Sequence, residues 1–298
     1  MSSLPPRVVI VTRRTELQWL MAKHATRGQV EFYLGTRGQT IDSVEARHDL
    51  QMSALTRLRA LIPDSWSRVD VERASLDRFN FAPNDVVVAI GQDGLVANLA
   101  KYLTGQAVMG VSPDPESYEG VLTPLSVGQA GRLFHAVAQE SAAYEKRTMV
   151  SAHLDDGQKL LALNEIFIGH KTHQSARYIL SHGETEEFQS SSGVIVATGT
   201  GFTGWAKSIL TTTKRNIQCG PEDRAAHFFS REPWPSKQSG ASLSHGQIST
   251  RNALSITSRM NEGGVIFADG IEQDFLRFDW GARASITLAK QTLSLVKA

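Results

Sequence analysis

Cysteine is almost missing from this chain. Cys219 stands alone in 298 residues, so no internal disulfide and no cysteine-built metal site can form. Long apolar runs are missing as well. No window approaches about 18 consecutive apolar residues, which excludes a membrane-spanning helix. The N-terminal stretch Met1 to Glu16 has an apolar run only from Val8 to Val11, too short for the core of a secretion signal. It also lacks the Arg- and Ser-rich amphipathic pattern of an organelle presequence. Nor is there an excess of one charge: 31 basic side chains face 30 acidic ones, a formal net charge of +1. That balance offers no basic stripe to a nucleic acid and leaves small phosphorylated ligands, which need only a local donor cluster. A cytoplasmic protein without nucleic-acid or membrane partners is the expectation.

What is present points to two domains. The chain is longer than one typical core of about 100–200 residues, and 41% of it is hydrophobic, as in an ordinary folded protein. Up to about residue 125, strand and helix signals alternate. Arg7 to Val11 reads as a short apolar strand, Thr15 to Ala25 as a helix, and residues 29–34, which alternate at period two, as a half-buried strand. A helix over roughly 44–62 follows, ended by Pro63. Asp85 to Ile90 carries an unbroken apolar run, mostly β-branched, the pattern of a strand buried on both faces of a parallel sheet. A helix through Leu95, Leu99 and Leu103 and a strand over Ala107 to Val111 complete a βαβ unit, whose ligands bind beyond the carboxyl ends of the strands.

After a predicted helix at 126–141 the pattern becomes β-rich. Thr148 to Leu154, the turn Asp155-Asp156-Gly157, and Lys159 to Ile168 read as a hairpin. Ala176 to Leu180, Thr185 to Gln189 and Val194 to Thr198 read as a continuing meander, with further strands at 255–258, 264–267, 275–278 and 284–288. Residues 211–250 are weakly patterned and read as a long excursion.

Three motifs carry candidate chemistry. Gly91-Gln92-Asp93-Gly94 closes the buried strand. Glycine there serves a tight turn on backbone grounds alone, and Asp is common at turns and helix starts. The functional alternative sets amides of the turn and helix start against phosphate, with Asp93 as general base on a substrate hydroxyl. Asn164-Glu165 puts two polar side chains inside an apolar strand, where leaving them unpaired costs a few kcal/mol. They are either an exposed edge or a pair aimed at ligand hydroxyls and amides. Gly199-Thr200-Gly201-Phe202-Thr203-Gly204 spells a dinucleotide fingerprint, but it follows a β-meander, and the sequence after Lys207 promises neither a helix nor a second parallel strand. It is not a Walker A loop either, since Trp205 stands where lysine is needed. His170 and His173 lack carboxylate support, and no metal-ligating set is identified.

Taken in order, Val86 to Gly94, Leu163 to Gly169, Ser191 to Trp205 and Asp269-Gly270 resemble the NAD kinase family, as does Val111 to Gly120. The likeness is closest to its mitochondrial-type branch, which shares Ser-Ser-Gly and a segment like Phe229 to Pro233. The resemblance implies an α/β N-terminal Rossmann-like domain over 1–125 and a C-terminal, mostly antiparallel β-sandwich domain over 145–278. Residues 279–298 would return to the first domain. It further implies phosphoryl transfer from ATP or polyphosphate, with Mg2+, to the adenosine-ribose 2′-hydroxyl of NAD, in a homodimer or larger assembly. By position, Asp93 is then the base, and Gly91, Gln92 and Gly94 hold phosphate. Asn164 and Glu165 bind substrate hydroxyls and amides. Ser192, Thr200, Thr203, Gly204, Trp205 and Ser208 line the adenosine pocket.

Three positions depart from the family pattern. Gln92 replaces its second glycine, at a cost of about 1 kcal/mol or more if that residue needs positive φ. Ser192 stands where most members have Asp, and Trp205 replaces a Tyr that stacks on adenine. Two other readings stay open: a kinase of the same fold acting on a nucleoside, sugar or lipid, and a nucleotide-binding regulator in which Gln92 has disabled transfer. A dehydrogenase built on Gly199 to Gly204 ranks last, for want of any partner motif.

Overall fold

The computed structural model describes residues 5–117 and 120–298, so Tyr118 and Glu119 of the Val111 to Gly120 segment fall outside the described residues. The chain divides into two compact units: residues up to Glu145 together with Ser294–Ala298, and Lys146–Leu293. No helix among the described residues is long and apolar enough to cross a membrane.

The first unit is a parallel sheet with helices. Its elements are β1 (Arg7–Thr12), α1 (Glu16–His24), α2 (Arg27–Gly35), α3 (Ile41–Ala60), β2 (Ser67–Glu72), β3 (Val86–Ile90), α4 (Asp93–Ala100), β4 (Ala107–Val111) and α5 (Val127–Ala138). Strand order is β2-β1-β3-β4, all parallel, and Ser294 and Leu295, near the end of the sequence, pair in parallel with Ala107 and Val108 of β4. Every residue of β3 is buried, as its unbroken apolar run requires. Alternate residues Val8 and Ile10 of β1 and Val86, Val88 and Ile90 of β3 pack on Leu55 and Leu58 of α3 and Phe134 of α5.

Residues 29–34 form a helix, not the expected strand. Val30 and Leu34, four apart, are the buried pair, whereas Phe32, which period-two alternation would bury with them, is 76% exposed. Thr26 caps this helix through Gln29 N, a start signal that outweighs three alternating apolar residues. Gln92 likewise corrects an expectation: it takes φ −101° and ψ 164°, extended backbone open to any residue, so no strain follows from replacing glycine there.

The second unit is built from antiparallel sheets. Its elements are β5 (Tyr144–Leu154, entering from the first unit), β6 (Lys159–Ala162), β7 (Glu165–His170), β8 (Ala176–His182), β9 (Thr185–Ser191), β10 (Val194–Thr198), α6 (Trp205–Thr213), β11 (Ala226–Ser230), β12 (His245–Ile248), β13 (Leu254–Ser258), β14 (Gly264–Ala268), β15 (Leu276–Arg277) and β16 (Arg283–Val296). One sheet orders β16-β13-β8-β9, with β5 paired to β16 and β6; the other orders β12-β11-β10-β7-β14-β15. Their facing sides share one core that includes Val150, Ile166, Tyr178, Val196, Phe228 and Ile256. The outer face of the second sheet, Phe167, Ile195, Phe229 and Phe267, is covered by α6 through Ala206.

Four expectations change here. Lys159 to Ile168 is not one strand: it breaks after Ala162, and β6 and β7 belong to different sheets. Val194 to Thr198 does not continue the meander, because β10 pairs with β7 and β11 rather than with β9. A helix does follow the 199–204 turn, namely α6, yet β11 returns antiparallel to β10, so no parallel βαβ unit forms. Part of the 211–250 excursion is also ordered into this sheet as β11 and β12.

Candidate functional site

Asp93 is the first residue of α4, at the carboxyl end of β3. Gly91 spends its N–H on the Val111 carbonyl at 3.0 Å. The amides of Gln92, Asp93 and Gly94 stand at the helix start, where no intrahelical acceptor exists. The Asp93 carboxylate holds the turn that follows β4. Its Oδ2 accepts Val121 N at 2.9 Å, and its Oδ1 accepts Leu122 N at 2.9 Å, Thr123 N at 3.1 Å and the Thr123 hydroxyl at 3.1 Å. Oδ1 is thereby saturated, whereas Oδ2, with one donor, keeps capacity to accept from a ligand.

In the second unit a different carboxylate does the same job. Asp269, just past β14, takes φ 51°. Its Oδ2 accepts Leu163 N at 3.0 Å, and its Oδ1 accepts Asn164 N at 2.7 Å and Glu165 N at 3.2 Å. Asn164 therefore lies not inside a strand but on the crossover between sheets, and Glu165 opens β7. Among the described residues neither side chain makes a hydrogen bond. Burial, with the Asp269 carboxylate adding repulsion, pushes the Glu165 carboxyl up to about 7. An acid poised there can both donate and accept a proton near neutrality.

Two glycines of the 199–204 turn, Gly199 and Gly201, answer to packing. A Cβ at Gly199 would overlap the Gly220 carbonyl, and one at Gly201 the Asn164 carbonyl. Thr200 is 2% exposed and accepts from the buried Arg147 guanidinium at 3.4 Å, so its hydroxyl supports the turn from inside instead of lining an open wall. Thr203, Gly204 and Ser208 are exposed. Thr203 borders a groove of about 450 Å³ that also takes in Phe202, Lys207 and Arg215; Trp205 and Ser208 lie outside it. The Trp205 ring lies parallel to Phe167, centroids 5.9 Å apart, under the Arg231 guanidinium at 5.1 Å. The stacking expected of it is thus used within the chain. Ser192 is exposed at the β9–β10 turn, its N–H donated to Arg231 O at 2.9 Å.

Sequence reasoning missed the groups that fix these motifs: Thr198, Arg147, Arg231 and the clamping role of Asp269. Of these only Asp269 left a trace, an Asp-Gly pair after a strand, which marks left-handed backbone but not what the carboxylate binds.

No protein-family model matches the sequence, and no curated protein matches it. Solved structures do. An NAD kinase from Archaeoglobus fulgidus in complex with ATP aligns over 98% of this chain and 93% of its own, with a TM-score of 0.60 at 18% identity. Yeast NADH kinase complexed with NADH aligns over 99% of this chain and 84% of its own, with a TM-score of 0.63 at 14% identity. The likeness runs through both units and shows the NAD kinase fold: an α/β unit followed by an antiparallel β unit.

Proposed function

We propose that the protein is an NAD kinase, transferring a phosphoryl group from ATP or polyphosphate to the adenosine-ribose 2′-hydroxyl of NAD. The observation that carries this reading is that a chain of this fold presents, at strand ends, the carboxylate of Asp93 and the polar ends of Asn164 and Glu165, which have no hydrogen-bond partner among the described residues. Both NAD and NADH are candidate acceptors. Asp93 takes the hydroxyl proton through Oδ2, the oxygen with spare capacity. Gln92 and Gly94 offer helix-start amides to the donor's phosphates; Gly91 shapes the turn, its own N–H being spent on Val111. Asn164 and Glu165 hold substrate hydroxyls and amides, and Ser192, Thr203, Gly204 and Ser208 face the adenosine, with Thr200 as internal support and Trp205 engaged by Phe167 and Arg231.

Mg2+ would come with ATP and would neutralise the charge of its phosphates, with no residue of this chain assigned to hold it. Among the described residues no group of three or more His, Cys, Asp or Glu stands together to cage it. A homodimer or larger assembly, in the cytoplasm, completes the reading. The test is NADP formation by the purified protein with NAD or NADH and, in turn, MgATP and polyphosphate. Failure with every donor at high enzyme concentration rejects it, and turnover of a nucleoside, sugar or lipid instead would move the activity to another acceptor of the same fold.

A further inference from the structure

Residues 163–165 cross from one sheet to the other, and no local rule enforces their conformation. Yet every main-chain polar group on them is bonded. The three amides go to Asp269, at 2.7–3.2 Å. The Leu163 carbonyl accepts the Thr198 hydroxyl at 2.5 Å, the Asn164 carbonyl accepts Thr198 N at 2.9 Å, and the Glu165 carbonyl accepts Asp269 N at 3.0 Å. Against this fixed backbone, the side chains of Asn164 and Glu165 have no hydrogen-bond partner among the described residues. A rigid main chain carrying uncommitted polar ends is how a binding group is preorganised.

Asp269 occupies left-handed backbone, which few L residues tolerate and which Asp and Asn accept best. Its two oxygens divide these three amides, Oδ1 taking two and Oδ2 one. Asparagine could keep the Oδ1 bonds but would turn an NH2 toward the Leu163 N–H, donor against donor.

We propose that Asp269 is a positioning residue for the dinucleotide site, holding the 163–165 main chain so that Asn164 and Glu165 are aimed at the ligand. The identity of that ligand rests on the function proposed above. Among the described residues Asp269 is also the charged group that acts on Glu165. The strands flanking β7, Val194–Thr198 and Gly264–Ala268, bring no ionisable side chain.

The test uses the full chain with Asp269→Asn and Asp269→Gly, the latter keeping left-handed backbone while removing the carboxylate. Amide hydrogen exchange without ligand is expected to lose protection at Leu163 in the Asn variant and at all three residues in the Gly variant. NAD affinity by calorimetry falls at least about tenfold in both, and the Glu165 carboxyl, followed by NMR, titrates at lower pH in the Asn variant because a neighbouring charge is gone. Rapid exchange at 163–165 in the wild type, or unchanged affinity in a variant whose turn has loosened, overturns the proposal. Should the wild type bind neither NAD nor NADH, the functional reading falls by itself. Exchange at Leu163 then still judges the clamp, lost protection supporting it and retained protection overturning it. If the Gly variant does not fold, the Asn variant carries the comparison.

Discussion

Asp93 in the first unit and Asp269 in the second each gather three successive main-chain amides, 121–123 and 163–165. The difference lies in what the clamped turn presents. At 163–165 the clamp and the candidate binding groups are separate residues, so one can be changed while the other stays. In the first unit the clamp is itself the candidate base, and one carboxylate serves the fold and the chemistry together. Substitution at Asp93 therefore mixes two effects that the second unit keeps apart.

The sharpest way to break the comparison is Asp93→Asn. Loss of a general base lowers turnover by about 10²–10⁴-fold, so NADP formation should fall at least about 100-fold. If hydrogen exchange at 121–123 stays slow in that variant, the loss belongs to chemistry; if those amides also open, the turn is implicated. Thr123→Val, which removes the hydroxyl bond and leaves the amide, is the control.

Glu165→Gln tests the separated pair. The folded-state carboxyl is raised, so the folded chain holds this proton more firmly than the unfolded chain does. Stability from this group is complete below the ordinary carboxylate range and is lost as pH rises from there through about 7. The lost stability is on the order of 3 kcal/mol at most. The wild type should thus lose stability between about pH 5 and pH 8, and Glu165→Gln should flatten the profile while weakening NAD binding. Denaturation midpoints at the two pH values decide this; parallel profiles would refute the raised carboxyl.

Smaller effects probe the Gly91–Gly94 turn. No atom lies within 4 Å of a Cβ built at Gly94, so Gly94→Ala should stabilise α4 by up to about 1 kcal/mol. The KM for ATP should nevertheless rise if phosphate approaches that backbone. Smallest of all, Gln92→Gly relieves no strain, because Gln92 already has negative φ. It should cost a few tenths of a kcal/mol and change turnover by less than about threefold; a large gain would restore the view that Gln92 disables transfer.

Much of this was legible in the chain. The apolar, mostly β-branched run before Gly91 specified a strand buried on both faces, because a residue that cannot face water on either side needs no alternation. The glycine turn at its end followed, as did the change from alternating strand and helix to β-rich sequence. Where local signals competed, the reading failed: Val30 and Leu34 satisfy both periods, Phe32 only the strand period, and the Thr26 cap with tertiary burial chose the helix. The break inside 159–168 was hidden because Leu160, Leu163 and Ile166 are apolar whichever sheet they enter.

By itself the sequence determined the strand and turn that carry Asp93, the adjacency of Asn164 and Glu165, and the order of motifs along the chain, since these depend on neighbours in sequence. Only the tertiary structure decided which amides the carboxylates of Asp93 and Asp269 take, across 28–30 and 104–106 residues. It alone raised the Glu165 carboxyl. Hydrogen-bond partners and the loss of water around a carboxyl are set by whatever the fold brings near, and no run of local residues encodes that.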